Sequence, residues 1–158
     1  MPSPDLAKQI HERFKFRRQS IAAAESCTGG AFTAELVRLP GASDFVKGSV
    51  VAYSNSSKVN VLQVKKSTLD ASGAVSQEVA LQMAKGVKQK LESTWSVGIT
   101  GIAGPTGGSK DKPIGTVCIA VIGPGFEYSE INLFTGSREA VIESTVKRTM
   151  QLVLEKTH

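Results

Sequence analysis

Late in the chain, two apolar runs, residues 115–122 and 128–134, are separated by little more than Gly123-Pro124-Gly125. So short a junction joins neighbouring strands only in antiparallel fashion, because a parallel pair needs a crossover of about a dozen residues or more. Ahead of this hairpin, helix and strand patterns alternate. Leu6, Ile10 and Phe14 recur at helical spacing, residues 21–24 form a short apolar strand, and residues 31–39 read as a helix stopped by Pro40-Gly41. Residues 46–53 read as a second strand, followed by a polar turn at residues 54–58, and Ser67 with Asp70 predicts a short helical turn. From Ser76, a good N-cap with Glu78 in its first turn, a helix carries Val79, Met83, Val87 and Leu91 at every fourth position. Residues 95–100 alternate, with Trp95, Val97 and Ile99 on one strand face. The last helix starts at Ser137, with Ile142, Val146, Met150 and Val153 on one stripe. An early strand–helix alternation followed by a hairpin predicts a single α/β domain, its mixed sheet covered by helices on both faces.

Composition removes several kinds of chemistry. With 158 residues, 41% hydrophobic and 21% charged, the chain is long enough to bury a core and is not composed like a disordered segment. Two cysteines, Cys27 and Cys118, make no disulfide framework. The two histidines, His11 and His158, stand near opposite ends, so a transition-metal site and a Ser-His-Asp triad both lack residues to draw on. Any hydrolytic chemistry here needs another base. Nineteen basic against 14 acidic residues give a net charge of +5, which suits an anionic ligand but is too modest to imply nucleic acid. The basic group Arg13, Lys15, Arg17 and Arg18 reads as a solvated helix end. Residues 1–18 lack the apolar run of a secretion signal, and the longest apolar run, residues 117–122, falls far short of the ~20 residues that span a bilayer. A cytoplasmic chain without membrane partners is therefore expected.

Three polar, glycine-bearing segments each sit where a strand ends, the place where open α/β sheets bind ligands. The first, Glu25-Ser26-Cys27-Thr28-Gly29-Gly30, occupies a strand-to-helix turn. Its glycines let a ligand approach the backbone, and N–H groups at a helix start attract anions. Ser26 is a candidate nucleophile with such N–H groups as an oxyanion hole, while Ser26 or Thr28 as a plain helix cap explains the same residues. Cys27 is the alternative nucleophile, and Glu25 is a candidate to orient a lysine. The second segment offers Tyr53 and Lys58. A lysine serves as general base once burial or a nearby cation lowers its pKa, although most lysines are solvated surface groups. The third, a loop with Gly101, Gly104, Gly107 and Gly108, precedes Lys110 and Lys112, which would favour a nearby phosphate. Arg138 fits either a phosphate contact or a surface ion pair.

Four runs carry more than any of these residues alone: AESCTGG (residues 24–30), YSNSSK (53–58), GAVSQEVA (73–80) and GITGIAGPTGGSKDKPIGTV (98–117). Together they resemble the CinA C-terminal domain family, in the family's order and over nearly the whole chain. The resemblance implies a three-layer α/β/α sandwich and nicotinamide-nucleotide amidase activity, hydrolysing nicotinamide mononucleotide to nicotinate mononucleotide and ammonia. It implies a serine nucleophile at Ser26, assisted by Lys58 and Tyr53, and needs no cofactor and no metal. Thr28, Gly29 and Gly30, with Thr100, Gly101 and Gly104, become candidate substrate-binding residues. Arg138 matches the arginine of the family's F-x-G-x-R segment, here Phe134-Thr135-Gly136-Ser137-Arg138.

In this reading Lys58 deprotonates Ser26, Tyr53 orients Lys58 or relays a proton, and N–H groups near Gly29, Gly30 or Gly101 hold the oxyanion. The partner is a small nucleotide, with no nucleic acid; a homo-oligomer is left open. Two departures stand out. Longer members carry an N-terminal domain linked to pyrophosphate hydrolysis, an activity not expected of these residues. Many members also have a second arginine four residues after the first, where this chain has Ile142. A nucleotide-binding module without turnover and an amidase for another small amide are the alternatives.

Overall fold

The computed structural model describes residues 5–158. Five strands form one mixed sheet in the order β2-β1-β3-β4-β5. They are β1 (Ile21–Glu25), β2 (Val46–Val51), β3 (Trp95–Gly101), β4 (Thr116–Gly123) and β5 (Phe126–Leu133). β1 pairs in parallel with both β2 and β3, whereas β3–β4 and β4–β5 are antiparallel. Gly123 pairs directly with Phe126, leaving Pro124-Gly125 as the hairpin loop. The helices are α1 (Leu6–Arg17), α2 (Ala31–Val37), α3 (Asn55–Leu62), α4 (Lys66–Ser72), α5 (Gln77–Leu91) and α6 (Arg138–Lys156). None is long and apolar enough to cross a membrane, among the described residues.

Alternation along the strands fills two cores. Ile21, Ala23, Val97, Ile99, Val117, Ile119 and Val121 face α1, α2 and α6, where Ile10, Phe14, Phe32, Leu36 and Leu152 complete an apolar layer. Ala22 and Ala24 point to the other side, against Val79, Met83 and Val87 of α5 and Leu62 of α3. The result is the sandwich of helices, sheet and helices expected from the element order. α5 lies very close to its neighbours because two glycines allow it. A Cβ on Gly98 would stand 2.1 Å from the Ala80 carbonyl oxygen, and one on Gly86 would stand 2.0 Å from that of Leu62.

Several expected boundaries move. The polar turn at residues 54–58 is instead the start of α3: the Ser54 hydroxyl accepts the Ser57 N–H at 3.1 Å, and the helix continues to Leu62. Its Asn and Ser residues face solvent, so no apolar period announced it. Strand β2 correspondingly stops at Val51, short of Tyr53. The Ser67–Asp70 signal falls inside α4, which begins after Lys65 without a side-chain cap. Ser76 and Ser137 do cap their helices, accepting the N–H groups of Val79 and Ala140.

Candidate active site

The chain leaves β1 for β2 on one side and returns through α3–α5 to β3 on the other. The carboxyl ends of β1 and β3 therefore flank a topological switch point, where a crevice opens without any further device. Ser26 is the first residue after β1, and its N–H donates to the Ile99 carbonyl of β3 at 3.0 Å. Strand alternation sends Glu25 toward α2 and Ser26 toward α3. Gly29 (φ +58°) and Gly30 (φ +102°) then turn the backbone into α2 through left-handed conformations that a side chain would strain.

Lys58, on the second turn of α3, points inward and donates from Nζ to Ser26 Oγ at 3.0 Å. Both are buried, at 3% and 7% exposure. Burial pushes the lysine below its ordinary value of 10.5, with a smaller opposing contribution from the Cys27 thiol. Among the described residues no carboxylate forms an ion pair with it. Once deprotonated, an amine in this contact with a serine hydroxyl makes a nucleophile–base pair.

Cys27 does not compete. It is buried in the apolar layer beneath α2, and desolvation raises its thiol to about 12.

Tyr53 does not reach Lys58. It stands beyond β2, 61% exposed, and its hydroxyl accepts from Arg138 Nη2 at 2.7 Å. Arg138 Nη1 donates to the Gly104 carbonyl at 2.6 Å. The arginine thus ties the second polar segment to the third, and the sequence reading of Tyr53 as orienting Lys58 has no contact behind it. Lys58 is buried against Ser26, while Tyr53 is exposed and bonded to Arg138.

Two other candidates have their hydroxyls engaged elsewhere. Thr100 is buried and donates to the Ala74 carbonyl at 2.9 Å, fixing the loop before α5. Thr28 donates to Glu25 at 2.6 Å. Gly101 must be glycine for packing, since a Cβ there would stand 2.7 Å from Val117 Cγ2. Gly104 (φ +85°) faces Ile114 in the same way, at 2.6 Å. Lys112 is tied to the Ser72 carbonyl at 2.6 Å, while Lys110 is exposed.

Of the N–H groups expected to hold an oxyanion at this turn, that of Gly29 is engaged and that of Gly30 is free among the described residues. Gly29 N–H donates to the Ser26 carbonyl at 3.0 Å, whereas those of Thr28 and Gly30 have no partner among the described residues. The start of α2 is closed to anions, because Glu25 accepts the N–H groups of Phe32 and Thr33 at 3.0 Å each. Glu25 makes no hydrogen bond to Lys58. Its capping role escaped the sequence because it reaches seven and eight residues ahead, well outside the spacing of a capping box. A groove of about 700 Å³ between α1, α2 and α6 includes Ile142 but neither Ser26 nor Lys58. Among the described residues no three His, Cys, Asp or Glu side chains cluster to hold a metal.

Comparison with known proteins adds names to this geometry. The family model described as the CinA C-terminal domain matches residues 3–157. A CinA-like protein of Fervidobacterium nodosum is 46% identical over 84% of this chain and 32% of its own length. A protein of Shewanella oneidensis named nicotinamide-nucleotide amidohydrolase PncC is 47% identical over 86% of the chain and 32% of its own length. The chain thus spans about a third of the length of the curated relatives it matches. Among solved structures, the competence/damage inducible protein CihA of Agrobacterium tumefaciens superposes with a TM-score of 0.95 at 32% identity, covering 100% of this chain and 99% of that one. A CinA superfamily protein of Enterobacter cloacae gives 0.93 at 31% identity, over 97% and 90%.

Proposed function

The chain belongs to the CinA C-terminal domain family, and from that premise we propose that it hydrolyses the carboxamide of nicotinamide mononucleotide to nicotinate mononucleotide and ammonia. The observation that carries the reading is the buried 3.0 Å contact between Lys58 Nζ and Ser26 Oγ at the switch point of the sheet. The amidohydrolase name of the Shewanella relative supports the substrate.

Chemistry follows from the pair. Neutral Lys58 takes the Ser26 proton as Oγ bonds to the carboxamide carbon, and the carbonyl electron pair moves onto oxygen. The N–H groups of Thr28 and Gly30, without a partner among the described residues and in the same turn as Ser26, serve in this reading as the oxyanion donors, each such bond being worth about 3–4 kcal/mol. The Lys58 ammonium then gives its proton to the leaving nitrogen, and ammonia departs as the carbonyl re-forms. Water, deprotonated by Lys58, attacks the acyl-enzyme; collapse returns that proton from Lys58 to Ser26 Oγ and releases the carboxylic acid, which loses its remaining proton to solvent as the carboxylate. Arg138 holds Tyr53 and Gly104 together at the rim, where the rest of the substrate enters. No metal or cofactor takes part, and the reading places the protein in the cytoplasm, acting on a small nucleotide.

Ammonia release from nicotinamide mononucleotide, measured in EDTA for wild type, Ser26→Ala and Lys58→Ala, tests this. Turnover by wild type and a loss of at least 10³-fold in each folded variant is the expected result. A well-folded wild type that releases no ammonia, yet melts higher with the nucleotide present, would instead be a binding module. A panel of pyridine amides with and without the ribose phosphate separates an amidase for a different small amide.

A further inference from the structure

Helix α2 begins without a cap of its own, since its N-cap residue is Gly30. Helices ordinarily satisfy their second and third N–H groups with the N-cap side chain. Here both groups, those of Phe32 and Thr33, donate to the carboxylate of Glu25, the last residue of β1. Two hydroxyls complete the set. Thr28 Oγ1 donates to Glu25 Oε1 at 2.6 Å, and Thr33 Oγ1 donates to Oε2 at 2.7 Å. Glu25 is fully buried, and its four hydrogen-bond partners are all donors. That is the environment an acceptor-only carboxylate fits and an amide does not.

The chain between the two ends of this clamp contains Ser26 and the N–H groups of Thr28 and Gly30. Open space lies over the turn at Gly29, where a Cβ would meet nothing within 4 Å, while one on the N-cap Gly30 would meet only Val51 Cγ2, at 3.6 Å. Capping from behind the turn therefore orders the helix start without putting a side chain where a substrate must approach. Resting on the amidase reading above, we propose that Glu25 is a positioning residue: its carboxylate fixes the turn of residues 26–30, so that the Ser26 hydroxyl faces Lys58 and the Thr28 and Gly30 N–H groups face the developing oxyanion.

Glu25→Gln is the informative change. In either orientation its amide turns an N–H toward one donor pair, Thr28 with Phe32 or both groups of Thr33, and that pair loses its acceptor. Thr28→Val removes a single bond, the one that ties the turn to the clamp. The readouts are kcat and KM for nicotinamide mononucleotide, the rate at which a fluorophosphonate labels Ser26, and circular dichroism with Tm as a check on folding. For Glu25→Gln, kcat and the labelling rate are expected to fall at least tenfold with KM within threefold. For Thr28→Val the same pattern is expected, with a loss of at least threefold. Folded variants whose kcat and labelling rate stay within twofold of wild type overturn the proposal, as does a loss confined to KM. If Glu25→Gln does not fold, Thr28→Val decides alone. A wild type that is labelled but does not hydrolyse the nucleotide sinks the proposed substrate, and the labelling rates still decide the role of Glu25. A wild type neither labelled nor active removes the nucleophile, and Glu25 has nothing to position.

Discussion

Lys58 Nζ and Ser26 Oγ lie 3.0 Å apart across 32 residues of chain, each almost wholly removed from solvent. Neither residue is unusual in its local sequence. Their meeting is made by the sheet, which sets β1 between β2 and β3, and by α3, which turns one lysine inward on the same helix as the buried Leu62.

Burial of that lysine gives activity a pH dependence. Because desolvation holds Lys58 below 10.5, kcat/KM should rise as the ammonium loses its proton, with the midpoint below that ordinary value. Lys58→Arg, permanently charged, should lose at least 10³-fold in kcat at every pH. A kcat/KM that does not rise with pH anywhere below 10.5 would exclude Lys58 as the base.

The same burial costs stability. Below the folded pKa both folded and unfolded chains carry the lysine proton, and the buried ammonium is unfavourable. Between the folded value and 10.5 only the unfolded chain is protonated, so stability rises with pH through that window. Lys58→Met should therefore melt higher than wild type at pH 7 while being inactive, with the gap closing as pH rises toward 10.5. Calorimetric Tm values for both proteins across pH 7–10.5 check the sign.

Gly86 controls where α3 sits. A methyl group there would lie 2.0 Å from the Leu62 carbonyl, at the end of the helix that carries Lys58. Gly86→Ala should lower stability by about 1–3 kcal/mol through overpacking. It should also lower kcat by about 10- to 100-fold, because displacing a catalytic group by about an ångström costs that much. Urea unfolding and steady-state kinetics on the same preparation separate the two effects.

Arg138 and Tyr53 distinguish rim from chemistry. Arg138→Ala frees both the Gly104 carbonyl and the Tyr53 hydroxyl, and should raise KM about tenfold with kcat within threefold. Tyr53→Phe removes only the hydroxyl bond, so its effect should lie in the same direction and be smaller. A fall in kcat for Tyr53→Phe at unchanged KM would return Tyr53 to proton relay.

Far from the site, the pairing of β5 with α6 sets an acid limit. Arg148 donates to both oxygens of Glu130 at 2.8 Å, holding its carboxyl at about 2 instead of 4.5. A depressed carboxyl stabilises fully above its unfolded value, and the contribution disappears as pH falls from 4.5 toward 2. After allowance for solvent screening the pair contributes about 1–2 kcal/mol, or about 4 °C in Tm. Arg148→Ala should lose that difference at pH 7 and converge with wild type near pH 2.

Periodicity in the sequence was sufficient for α5 and α6, because each buries one regular stripe against the sheet, while the hairpin was legible from its short junction and from β4 as a continuous apolar run, buried along its whole length. It failed at α3, whose only buried residues are Lys58 and Leu62, so a charged side chain occupies the place an apolar one usually marks. The resemblance carried by the four motif runs implied Ser26 and Lys58 as the pair on which the proposed function rests. What their residue types cannot convey is which hydroxyls are already engaged. Thr28 and Thr100 look like ligands for a substrate, yet one completes the Glu25 clamp and the other holds Ala74.

The amino-acid sequence by itself determined the mixed sheet, the supply of only two histidines, near opposite ends, and the placement of polar turns at strand ends. All three rest on local pattern and on the inventory of side chains. Only the tertiary structure decided that Lys58 is buried against Ser26, that Glu25 caps α2, and that Arg138 links Tyr53 to Gly104. These are contacts between elements, fixed by strand order and by close packing at Gly86 and Gly98. Hydrogen-bond partners for a buried polar group are whatever the fold brings within 3 Å or so, and no local rule names them in advance.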